Sequence, residues 1–140
     1  MRIVFADTFY WIAVVNARDR GHGKVLEVKD SLGQCKIITT DEVLVEFLAA
    51  LSDKGEVLRK GAAQMVRAIF SNPNVRVIQQ SRDSFLQGLC LYEARPDKEY
   101  SLTDCVSMNW MTREKINDVL TEDHHFTQEG FTVLFKKEAY

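Results

Sequence analysis

The chain has 140 residues, of which 46% are hydrophobic and 27% charged, with a formal net charge of -2. That length suits one domain with a real buried core, and the composition excludes a disordered, collagen-like or linker-rich chain. The mildly acidic balance excludes a broadly basic coat, so any nucleic-acid contact is local or assisted by cations.

No apolar run approaches the roughly 18 residues of a membrane span, and the opening Met-Arg-Ile-Val-Phe-Ala-Asp is too short for a signal peptide. Cys35, Cys90 and Cys105 are odd in number and include no Cys-x-x-Cys pair, which argues against a disulfide framework or a zinc site of cysteines. They read as reduced, half-buried residues of a cytoplasmic protein.

Ile3-Val4-Phe5-Ala6 reads as a short, fully buried strand. Residues 9–15 suit a first helix, and residues 24–32 carry a helical stripe stopped by Gly33. Ile37-Ile38 is the second strand. Thr39 and Glu42 stand in the Thr-x-x-Glu relation of a capping box, predicting a helix to about Asp53 and another over 57–70. Asn72-Pro73-Asn74 is a turn, and residues 75–78 form the third strand. A helix starting at Ser81 or Asp83 runs through Tyr92. A loop at 95–98 and a helix from about Thr103 to Glu114 follow. Residues 118–121 and 131–135 are the last two strands, and Lys136 and Lys137 read as a soluble tail. Strands alternating with helices predict βαβ units and a parallel sheet covered on both faces, in one domain over 1–140.

Four of the acids resist dismissal as solvated surface. Asp7 follows the first strand, and ligands gather at the carboxyl ends of strands in open α/β sheets. The competing reading is an N-cap, a task that Thr8 could take instead. Glu46 is the sole polar residue in Val43-Leu44-Val45-Glu46-Phe47-Leu48-Ala49-Ala50-Leu51, and a helix apolar nearly all round is buried. Its i+3 and i+4 positions are Ala49 and Ala50, and an isolated buried carboxylate is costly unless paired or metal-bound. A buried ion pair, or a thin exposed stripe shared with Glu42, is the alternative. Asp104 falls in the first turn of a helix, where the macrodipole favours an acid by ~0.3–1 kcal/mol without further function. Asp123 hangs off the fourth strand, or is a turn aspartate before His124-His125.

In a parallel sheet the ends of the first and fourth strands share one rim. Helices from Thr39 and Thr103 begin there too, so the four carboxylates converge. Two unit charges ~4 Å apart repel by ~4 kcal/mol at an effective dielectric near 20, so such a cluster takes up protons or holds a cation. All-oxygen ligands select Mg²⁺ or Mn²⁺, and the chemistry this suits is phosphodiester hydrolysis.

These residues carry a resemblance. Ser101-Leu102-Thr103-Asp104-Cys105, Leu120-Thr121-Glu122-Asp123-His124-His125-Phe126 with Gly130-Phe131, the stretch from Ile3 to Thr8, and Thr39 through Glu46 together resemble the PIN-domain ribonucleases, the family of the VapC toxins. The resemblance implies a three-layer α/β/α sandwich with a five-stranded, mainly parallel sheet, and a metal-dependent endoribonuclease. It places metal-binding, catalytic acids at Asp7, Glu46, Asp104 and Asp123, with Thr8, Thr103 and Thr121 as supporting hydroxyls. It also implies a cognate antitoxin whose segment occupies the acidic cleft, and a homodimer. One departure is Phe9, where family members often carry a second small hydroxyl residue.

Two adjacent histidines cannot face one way on regular structure, which argues against a zinc site. His125 is a candidate to orient the loop or touch phosphate, with a plain loop histidine as the simpler reading. Arg18, Arg20, His22 and Lys24 form a basic cluster interrupted by Asp19, a candidate RNA-facing edge or a solvated loop. Phe9-Tyr10-Trp11 reads as buried helix aromatics ahead of a base-stacking platform. Trp110 reads as core or dimer contact. The rival class of function is a non-catalytic α/β binding module whose carboxylate cluster binds metal without turnover.

Overall fold

Five short strands set the frame. The structure, a computed structural model, describes residues 1–135, so Lys136 and Lys137 lie outside the described residues. The elements in chain order are β1 (Arg2–Ala6), α1 (Thr8–Val15), α2 (His22–Leu32), β2 (Cys35–Thr40), α3 (Asp41–Leu51), α4 (Glu56–Ser71), β3 (Val75–Ile78), α5 (Arg82–Ala94), α6 (Leu102–Arg113), β4 (Asp118–Leu120), α7 (His124–Gln128) and β5 (Thr132–Val133). The strand order is β3-β2-β1-β4-β5, and every pairing is parallel. Parallel neighbours need crossovers, and helices supply each of them. The result is the expected three-layer α/β sandwich, with a sheet that is wholly rather than mainly parallel.

The order reverses direction at β1. From there the chain steps outward to β2 and β3, then returns to place β4 on the other side of β1. This is a topological switch point, where ligands bind outside the carboxyl ends of the strands. Asp7 follows one of those ends and Thr121 the other.

The core is built from Val4, Phe5 and Ala6 of β1, Val43 and Phe47 of α3, Met108 and Met111 of α6, and Val119 and Leu120 of β4, all fully or almost fully buried. Each large apolar side chain so placed contributes ~1.5–3 kcal/mol. The α5–α6 pair closes tightly at Gly88, where a Cβ would stand 2.6 Å from Cγ2 of Val106. No helix among the described residues is long and apolar enough to cross a membrane.

Several local expectations are corrected. The cap of α3 is Thr40, whose side chain accepts the Val43 N–H. Thr39 belongs to β2 instead, where its hydroxyl donates to the Ala6 carbonyl at 2.9 Å and accepts from the Trp11 indole at 3.4 Å. The α3 run is not buried all round, for Val45 and Leu48 are exposed. Strand β1 is buried only from Val4 onward, and Ile3 is exposed. The cysteines span the whole range, from exposed Cys90 through half-buried Cys35 to buried Cys105. The segment after β4 holds an unforeseen helix, α7.

Candidate metal centre

Each acid is positioned by a neighbouring hydroxyl or amide. Asp7 is only 6% exposed and occupies the N-cap position of α1 without making a side-chain cap bond. Its Oδ2 accepts the Thr121 hydroxyl at 2.9 Å, while Oδ1 is buried with no partner. The same Thr121 hydroxyl accepts the Asp123 N–H at 3.2 Å, so one side chain ties the ends of β1 and β4 together. Glu46 is half-buried on α3 and accepts the Thr8 hydroxyl at 2.6 Å. Thr8 therefore holds Glu46 and does not cap α1.

Asp104 is the third residue of α6. Its Oδ2 accepts the Ser101 N–H at 3.1 Å, and its own N–H donates to the Ser101 hydroxyl at 3.0 Å. Asp123 caps α7 by accepting the His125 N–H at 2.9 Å. The structural readings of Asp104 and Asp123 are thus realised through one oxygen of each, and they coexist with a placement in the cluster. Beside Asp104 it is Ser101 that makes these hydrogen bonds, its N–H donating to the carboxylate and its hydroxyl accepting the Asp104 N–H.

The electrostatics show that the acids face one another. Burial first, and then the Asp104 charge, push the Asp7 carboxyl up to about 7, with Glu46 adding to the effect. Burial also raises Asp104, the Asp123 charge adds to it, and His125 opposes it. Distant stretches of the chain thus deliver negative groups into one partly desolvated place.

His125 was missed as a member of this cluster. It sits on α7, not in a loop, with Nδ1 3.4 Å from Oδ2 of Asp104 and 3.3 Å from Oδ1 of Asp123. One ligand atom each from Asp104, Asp123 and His125 lie within 4.8 Å of one another. Asp7 and Glu46 stand outside that tightest group and join it through charge. The two adjacent histidines do not diverge as expected: their ring centroids are 4.7 Å apart and both Nδ1 atoms lie near Oδ1 of Asp123, at 3.9 Å for exposed His124 and 3.3 Å for half-buried His125. The helix N-cap signal at Asp123 was the one available clue, since a helix starting there points its first turn back at the capping residue.

The site residues fit a small divalent cation. Asp104, Asp123 and His125 offer three clustered donors, and Asp7, which feels the Asp104 charge, has a buried Oδ1 without a partner.

Of the basic candidates, Arg18 is exposed, and exposed Arg20 pairs with Glu122, the neighbour of Asp123. Lys24 is half-buried on α2. Tyr10 and Trp11 are buried, as core aromatics would be.

No protein-family model matches the chain. It is 28% identical over 129 residues to the 23S rRNA-specific endonuclease VapC20 of Mycobacterium tuberculosis, a span of 92% of this chain and 95% of that protein. The crystal structure of VapC20, described as a sarcin-ricin loop cleaving toxin, matches with a TM-score of 0.81 at 26% identity over 92% of this chain and 96% of that one. The chain resembles the VapC toxins of the PIN-domain family. The VapC-like fold recurs in VapBC2 of Rickettsia felis, bound to a DNA fragment from its promoter, at a TM-score of 0.64 and 13% identity over 94% of this chain and 96% of that one. It recurs again in FitAcB of Neisseria gonorrhoeae, at a TM-score of 0.64 and 14% identity over 93% and 95% of the two chains.

Proposed function

We propose that this VapC-like chain is a divalent-metal-dependent endoribonuclease, one nuclease domain acting as the toxin of a toxin–antitoxin pair. The observation that carries this reading is the convergence of Asp7, Glu46, Asp104 and Asp123 on the switch point of the sheet, in a chain that matches VapC20 almost from end to end.

Asp7, Asp104 and Asp123 would hold the ion, with Glu46 in the same cleft. Mg²⁺ or Mn²⁺ is the expected occupant, because carboxylate oxygens suit hard cations. When bound, the ion supplies Lewis acidity toward a phosphodiester and acidifies water. The chain's own residues prepare the place. Thr121 fixes Asp7 and the Asp123 backbone, Thr8 fixes Glu46, and the Ser101 box fixes Asp104 at the head of α6. Burial keeps bulk water from screening the acids, so the substrate's negative charge is tolerated only with a cation present. Arg18, Arg20 and Lys24 would supply a basic edge for an RNA strand, with His125 lying inside the acidic cluster.

A cognate antitoxin suits the exposed apolar residues Val45 and Leu48, which flank Glu46 on α3. A second copy suits the stripe Phe85, Leu86, Leu89 and Tyr92 on α5. RNA as substrate places the work in the cytoplasm.

The test is cleavage of purified rRNA with and without divalent cation, comparing the wild type with Asp7→Asn and Asp104→Asn. Cleavage that needs the cation and is lost in both folded variants supports the reading, and equal cleavage by the variants overturns it. Marked stabilisation by Mn²⁺ with no cleavage of structured RNA would instead favour the binding-module alternative.

A further inference from the structure

The geometry points to His125 as a nitrogen donor to the ion, making this a mixed nitrogen–oxygen site that favours Mn²⁺ over Mg²⁺. The inference rests on reading the acidic cluster as a metal site, and it adds a ligand type that the four acids do not predict.

Three observations converge on it. First, Nδ1 of His125 is buried and has no hydrogen-bond partner. It stands 3.3–3.4 Å from one oxygen each of Asp123 and Asp104. Charge-assisted N–H···O bonds close at ~2.7–2.9 Å, so the ring stands within ion-pair range of both carboxylates but at longer than closed-bond distance from either. Second, a neighbour of the cluster has an unfilled acceptor: Asp7, 6% exposed and within reach of the Asp104 charge, has its Oδ1 buried and unpartnered. A buried acceptor without a donor is destabilising unless something fills that role.

Third, the ring is held in advance. Tyr100 meets the imidazole edge-on, with centroids 5.4 Å apart. The Tyr100 hydroxyl donates to Oε1 of Glu129 at 3.1 Å, and Arg95 grips both Glu129 oxygens at 3.0 and 2.9 Å. Glu129 closes the far end of α7, where its N–H donates to the His125 carbonyl at 3.2 Å. The clamp therefore fixes the short helix that carries His125 and begins at Asp123. Ligands oriented beforehand by such outer partners bind metal more tightly than mobile ones.

The consequence follows from donor chemistry. Mg²⁺ demands oxygen and keeps its waters, whereas imidazole suits transition ions. One nitrogen among carboxylates lowers the affinity advantage of Mg²⁺ and leaves Mn²⁺, which accepts both donor types, as the preferred ion.

The experiment uses the whole metal-free chain titrated with Mn²⁺ and followed by electron paramagnetic resonance, with Mg²⁺ as competitor. Spin-echo modulation of bound Mn²⁺ by a directly coordinated imidazole nitrogen is expected in the wild type. Losing the ligand in His125→Gln or His125→Ala should weaken Mn²⁺ about tenfold or more. Mg²⁺ binding should change by less than about threefold. Added free imidazole should restore the modulation in His125→Ala. Bound Mn²⁺ without imidazole modulation in the wild type overturns the assignment, as does undiminished Mn²⁺ affinity in a folded variant. The wild-type spectrum decides by itself, so a variant that fails to fold does not remove the test. Failure of the nuclease reading is distinguishable, because a chain that cuts no RNA can still bind Mn²⁺ through His125.

Discussion

Asp7→Asn is expected to stabilise the metal-free protein while removing its metal site. The native Asp7 carboxyl is pushed from 3.8 up to about 7, by burial first and then by the Asp104 charge. At about 1.4 kcal/mol per pH unit, ionising it in the folded state costs up to about 4 kcal/mol that the unfolded chain does not bear. The sign follows from proton binding. Between the unfolded and folded values the native state holds a proton that the unfolded state has lost, so stability falls as pH rises from about 4 to about 7 and then levels.

An Asn at position 7 keeps an acceptor for the Thr121 hydroxyl and carries no charge. In chelator at about pH 8, urea unfolding should therefore find the variant up to about 4 kcal/mol more stable than the wild type. At about pH 5.5 the difference should shrink to about 2 kcal/mol, and near pH 4 it should almost vanish. Mn²⁺ at about 100 times its dissociation constant should then add about 2.7 kcal/mol to the wild type and little to the variant. Parallel pH profiles for the two proteins would refute the placement of Asp7 among facing carboxylates.

Thr8→Val removes the 2.6 Å bond to Glu46 and should cost about 1.5 kcal/mol in urea unfolding, with Thr8→Ser restoring most of it. If Thr8→Val is as stable as the wild type, Thr8 does not hold Glu46. Gly88→Ala should destabilise by about 1–3 kcal/mol despite the ~1 kcal/mol helical advantage of alanine, because its Cβ meets Val106 at 2.6 Å. A raised melting temperature would contradict that packing. Phe126→Ala empties a fully buried position on α7 and should cost about 3–5 kcal/mol. It should also weaken Mn²⁺ binding, since α7 carries His125 and starts at Asp123. Full Mn²⁺ affinity in that variant would separate α7 from the site.

Much of the fold was legible because its signals are short-range. Apolar runs, Gly33, the Asn72-Pro73-Asn74 turn and the alternation of strand with helix all act within a few residues. The site was legible in part for the same reason: Asp7 and Asp123 announce themselves by following strands, and Asp104 by opening a helix. Misreadings arose where two local choices are nearly equal. Thr39 and Thr40 can each cap a helix, and the neighbouring strand decided between them by drawing the Thr39 hydroxyl to the Ala6 carbonyl. The α3 run is uniformly apolar in sequence, so nothing local distinguished its buried face from the exposed Val45 and Leu48.

Local sequence signals were enough for all the elements but α7, for the parallel class of sheet and for the candidate acids. Tertiary structure alone decided which groups meet. The Thr121–Asp7 bond spans 114 positions and the Thr8–Glu46 bond 38, distances at which no periodicity or capping rule operates. Placing β4 beside β1 joins Thr121 to Asp7 and brings His125 to the cluster, while the packing of α1 on α3 joins Thr8 to Glu46. Contacts of that kind are set by hydrophobic burial across the whole sheet, which specifies no particular polar partner until the layers have closed.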